Sequence, residues 1–136
     1  MDLADIPIFS MLRARMGYLS EKQRVISENV ANASTPGYSP HDLKAFNFQA
    51  HVQAAAGPGA MTVTHSGHML PPGAKRGVNV KPVKTKDSET TMDGNSVVLE
   101  EEMMKMADAR MDYDAAVGFY QKSLDILKLA TRRPGG

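Results

Sequence analysis

Apolar residues recur every three and four positions near both ends of the chain, the period of a helix with one buried face. In the first stretch Phe9, Met16, Gln23 and Val30 share one heptad position, and Leu12, Leu19, Ile26 and Ala33 share another. Only Gln23 interrupts the seam, as in a strand of coiled coil. The spacing predicts a helix over 6–34. Pro7 suits a first turn, where its missing N–H costs nothing, and Pro36-Gly37 ends the helix by disfavouring helical geometry at Thr35. In the last stretch Met103, Arg110, Val117 and Leu124 share one position, and Leu99, Met106, Tyr113, Tyr120 and Leu127 the other. A second helix is predicted over 95–131, with Asn95 or Ser96 as its N-cap. Glu100, Glu101 and Glu102 suit the positive end of its dipole, and Arg132 and Arg133 the negative end.

These elements predict a mainly α fold, a single domain over 1–136 whose terminal helices form an antiparallel, coiled-coil-like hairpin. The middle, 35–94, is irregular and broken by proline and glycine. Met61-Thr62-Val63-Thr64 and Val78-Asn79-Val80 alternate and are its candidate short strands.

Each helix carries a second apolar stripe. In the first it is Met11, Tyr18 and Val25, and in the last Val97, Met104 and Met111, with Val98, Phe119 and Ile126 beside them. A two-helix hairpin needs one seam per helix. The second stripe therefore predicts contact with other chains, unless the middle folds back over it.

Composition narrows the function. Lys plus Arg number 16 against 15 Asp plus Glu, so there is no basic excess with which to bind nucleic acid by counterion release. Trp and Cys are absent, which removes thiol chemistry, Cys-based metal sites and the strongest stacking platform. The ten methionines suit irregular contact surfaces, although each taken singly reads as core filler. The Met1–Asp5 segment carries two acids and no basic residue, so neither a cleaved secretory signal nor a membrane span is expected.

Candidate chemistry is thin. His65 and His68 have loose spacing and no neighbouring carboxylate, and read better as surface histidines than as metal ligands. Lys75, Arg76, Lys81, Lys84 and Lys86 form a basic run that fits a solvated loop or an acidic neighbour. Glu100, Glu101 and Glu102 point in three directions from a helix, which argues against a catalytic pair. No catalytic, cofactor-binding or metal residue is predicted, no small-molecule substrate is expected, and the chain does not read as an enzyme.

The most specific segment is Asn29-Val30-Ala31-Asn32-Ala33-Ser34-Thr35-Pro36-Gly37-Tyr38. It resembles the signature shared by bacterial flagellar rod, hook and hook-associated proteins, although that pattern commonly has an acid where Ser34 stands. The short chain with helices at both ends resembles a rod subunit. Asp42-Leu43, Phe46 and Phe48, then Gly94-Asn95-Ser96-Val97, Leu99-Glu100, Glu102-Met103, Tyr113 and Tyr120, resemble the proximal-rod members. The resemblance implies a structural subunit of the flagellar basal body, polymerising through its terminal helices into the rod that transmits motor torque. It implies export through the flagellar type III apparatus without signal cleavage. The implied partners are other rod subunits, the membrane-ring and rod junction proteins, and that apparatus. Phe48 and Val52 fit the phenylalanine-then-hydrophobe pattern associated with early export substrates. An alternative from another class is a soluble helical adaptor or chaperone of a secretion system.

Overall fold

The computed structural model describes residues 7–47 and 80–132. Two long helices dominate: α1 (Pro7–Ala31, 25 residues) and α2 (Leu99–Thr131, 33 residues). Between them lie β1 (His41–Leu43) and β2 (Pro82–Lys84), paired antiparallel with Asp42 opposite Val83. The fold is mainly α. Among the described residues the strands fall at positions other than those the alternation suggests. Residues 61–64, 78 and 79 lie outside the described residues, and Val80 precedes β2 without joining it.

The helices run antiparallel. The Phe9 ring meets Tyr120 edge-on with centroids 5.4 Å apart, whereas Asn29 meets Glu102 at the other end. At about 1.5 Å per residue α2 is roughly 12 Å longer than α1. The α1 seam buries Phe9, Leu12, Leu19 and Ile26, with Met16 and Val30 half-buried.

On α2 one of the two expected rows is displaced by one residue. The buried positions are Glu102, Ala109 and Ala116, not Met103, Arg110 and Val117. Met103 is 60% exposed and Leu99 45%, while Met106, Tyr113, Val117, Tyr120, Leu124 and Leu127 are half-buried. The reason is volume. The bulky α1 seam leaves room for a methyl group opposite it, so the alanine row turns inward and longer side chains flank it. At the Asn29 end, Val30, Met103 and Met106 line an open apolar groove of about 390 Å³ with Ser27 and Ala31.

The second α1 stripe is covered from inside the chain. Tyr18 and Val25 are 6% and 1% exposed, and Met11 is half-buried. The end of β1 and the segment after it fold back onto Tyr18 and Val25. Leu43 joins Tyr18, Leu19, Val25 and Ala116 in one cluster, with Phe46 and Val80 at its edge. The Phe46 ring lies 5.5 Å from Tyr18. So α1 is packed on two sides, by α2 and by the strand segment, and the expectation of an open stripe there is corrected.

Both helix boundaries also move inward. α1 stops at Ala31, because Asn32 starts a turn and its amide donates to the carbonyl of Glu28 (2.8 Å). α2 begins at Leu99 with Val98 as N-cap and no side-chain cap bond, so neither Asn95 nor Ser96 caps it. The Val98 N–H instead donates to Asp87 across the loop (2.9 Å).

Candidate functional site

Two features stand apart from ordinary packing: a buried polar clasp joining the end of α1 to the start of α2, and an open apolar face on α2.

Asn29 is completely buried at the last turn of α1. Its amide nitrogen donates to the His41 carbonyl (2.7 Å) and to Glu102 Oε2 (3.0 Å). Its oxygen accepts from the His41 N–H (2.9 Å) and the Tyr38 hydroxyl (3.2 Å). This uses both donors and both lone pairs of the side chain. One asparagine thereby ties together α1, the turn after it, β1 and α2.

Glu102 is also fully buried, and Lys105 Nζ reaches its other oxygen at 3.0 Å. The same ammonium donates to Asp87 Oδ1 (3.1 Å), and Asp87 accepts from the Val98 N–H. Burial pushes the Glu102 carboxyl above its usual range, against the hydrogen bonds from Asn29 and Lys105 that favour its charged form. For Lys105, burial acts downward, but its bonds to Glu102 and Asp87 outweigh it and the net shift is upward. Among the described residues no buried side-chain nitrogen or oxygen lacks a partner.

Asn95 closes the second half of the clasp. It is 2% exposed, and its amide donates to the carbonyls of Asn32 (2.9 Å) and Thr35 (2.6 Å). Its oxygen accepts from the Val97 N–H (2.9 Å). The side chain thus satisfies carbonyls beyond the end of α1. Gly37 and Gly94 both sit at positive φ, +71° and +84°. A Cβ on Gly94 would stand 3.4 Å from the Gly37 Cα, so the two turns approach backbone to backbone. The Gly37 N–H donates to the Asp93 carbonyl (3.0 Å) and the Ser96 N–H to the Tyr38 carbonyl (2.9 Å).

The structure therefore brings the segment singled out in sequence, Asn29 to Tyr38, against residues 93–96. Asn29 and Tyr38 contribute side chains, and Asn32, Thr35 and Gly37 contribute backbone groups. Val30 and Ala33 are half-buried. Ala31, Ser34 and Pro36 are exposed. Sequence reasoning missed Glu102 as the partner of Asn29 and missed Lys105 and Asp87 altogether. The available signal was a carboxylate in heptad phase with Ala109 and Ala116.

The open face lies on α2. Met104, Met111, Phe119 and Ile126 are 68%, 67%, 65% and 60% exposed, and Leu129 is 70%. Met104 and Met111 each follow a buried position by two residues, about 200° around the helix. Val97, grouped with this stripe in sequence, is instead buried at 8%, and Val98 is half-buried. Phe48 and Val52, and both His65 and His68, lie outside the described residues.

A clasped pair of long helices with a bare apolar row along one of them is an architecture that offers a helix face for contact with other chains. The family model for flagella basal body rod protein matches residues 15–38, the last two-thirds of α1 and the clasp turn. Flagellar basal body rod protein FlgB of Agrobacterium fabrum is 32% identical over 113 residues, covering 80% of this chain and 81% of that protein. FlgB of Proteus mirabilis is 28% identical over 119 residues, with 82% and 83% covered. FlgB of Salmonella typhimurium is 29% identical over 98 residues, with 69% and 70% covered. The chain belongs to the FlgB family of flagellar basal body rod proteins.

Proposed function

We propose that the chain is a structural subunit of the proximal rod of the bacterial flagellar basal body, where it assembles with other rod subunits and transmits motor torque. The observation that carries this reading is the apolar row Met104, Met111, Phe119 and Ile126, which nothing among the described residues covers. Large exposed apolar rows mark contact surfaces, and the FlgB relatives give the kind of assembly. The clasp holds the two helices in fixed register, so that force applied to one is passed to the other. The remaining partners in this reading are the proteins at the junction of membrane ring and rod. Passage through the flagellar type III apparatus without signal cleavage belongs to the same proposal, with Phe48 and Val52 as its recognition residues.

Charged substitutions on the row test it. Full-length Met104→Glu and Phe119→Glu are expected to fold with normal helical content, because both side chains already face solvent. Cells carrying them are expected to lose motility, and the chain is expected to be missing from purified basal bodies. Normal incorporation of both variants would defeat the proposal. A chain found only as a cytoplasmic complex with export clients would make it an adaptor instead.

A further inference from the structure

Inside the hairpin, α1 supplies bulk (Phe9, Leu12, Leu19, Ile26) and α2 supplies alanine (Ala109, Ala116). Outside, the roles reverse. A third face of α1 carries Arg13, Gly17, Ser20, Arg24, Ser27 and Ala31, all exposed, at alternating steps of four and three, and at Ser27 and Ala31 it borders the groove beside Met103 and Met106. No large apolar side chain stands in that row, whereas the open row of α2 is Met104, Met111, Phe119 and Ile126.

We propose that the open α2 face of one copy docks on this small-residue α1 face of a second copy, a head-to-tail contact that repeats without closing. The inference rests on the rod reading above and names the surface that the row contacts.

Three observations select this occupant. First, Gly17 lies mid-helix, where glycine destabilises relative to alanine, and a Cβ there would meet nothing within 4 Å. Packing within the described chain does not call for glycine at this position, whereas large side chains arriving from outside do. Second, the charges match. α1 carries four basic and two acidic residues, and α2 carries seven acidic and four basic. Asp108 and Asp112 stand beside the α2 row and Lys122 within it; on α1, Arg24 is held by Glu21 and Glu28, and Arg13 belongs to the row without an ion pair among the described residues. Third, unlike faces generate an open helical array, whereas a self-complementary face stops at a dimer.

Disulfide trapping tests the pairing, and the chain has no cysteine of its own to interfere. Full-length Ser20→Cys, Met111→Cys and the double variant are produced in cells in place of the unsubstituted chain, and purified basal bodies are oxidised. The double variant is expected to give a ladder of dimers and larger species, and each single variant only monomer. A dimer from Met111→Cys alone would show α2 against α2 and overturn the pairing. So would an absent ladder when the double variant is present in basal bodies, a result that leaves the rod reading standing. Absence of the unsubstituted chain from basal bodies removes both. Should the cysteine chains fail to incorporate, Gly17→Leu and Gly17→Ala decide. The leucine variant is expected to fold but incorporate several-fold less than the alanine variant, and equal incorporation of the two overturns the proposal.

Discussion

Asn29 shows how much one side chain can fix. It has no charge and sits in the last turn of α1 with its side chain buried, away from the N-cap and turn positions that asparagine favours. Its burial follows from four hydrogen bonds to three separate pieces of chain. Asn29→Ala strands the backbone of His41 and one oxygen of Glu102. Each buried group left unpaired costs about 1–3 kcal/mol. The variant is expected to lose about 2–5 kcal/mol, read as a lower urea midpoint at unchanged slope. Glu102 makes a prediction of opposite character. Its folded-state pKa lies above the unfolded value because burial disfavours the charge. The native state therefore binds this proton more readily. Its contribution to stability is fully present below the unfolded carboxyl pKa and is lost as pH rises through the folded one. Stability measured against pH, unsubstituted minus Glu102→Gln, is expected to rise on acidification through that window. A difference that falls instead would mean that the Lys105 ion pair, not burial, controls the site.

At the scale of elements, the sequence locates both helices, the turn that ends α1 and the Met106–Tyr113–Tyr120–Leu127 row of α2, but sets the second row of the α2 seam one residue away from the buried one. Ranking positions by hydrophobicity favours Met103 and Val117 over Ala109 and Ala116, yet close approach favours the small residue. Ala116→Leu is expected to destabilise the hairpin by about 1–3 kcal/mol through overpacking, measurable by thermal unfolding. Gly17→Ala and Gly118→Ala should act oppositely. Neither added Cβ meets any atom within 4 Å, so each is expected to stabilise the isolated chain by about 0.5–1 kcal/mol. The second α1 stripe was legible as apolar, but its covering was not. Leu43 and Phe46 reach Tyr18 and Val25 only because the clasp turns the chain back at Tyr38. The clasp joins residues 73 apart in sequence. No local pattern reveals a pairing of that separation, so the sequence offers Asn29 only as part of the Asn29–Tyr38 segment and Asn95 only as a helix cap.

At the scale of the whole molecule, architecture and assembly rest on different features of the chain. Periodicity and volume explain a hairpin with one bare face. They contain nothing that speaks of a flagellum, which rests on the Asn29–Tyr38 segment and on the likeness to the FlgB relatives. The structure joins the two by showing that the resembling segment is the part that locks the helices together. The central claim is that neighbouring subunits cover the outer face of α2. Methionine oxidation footprinting tests it directly, because Met104 and Met111 are both exposed on that face. The account predicts that a mild oxidant modifies both residues in the free full-length chain and spares both in intact basal bodies. Equal oxidation in the two states would contradict it.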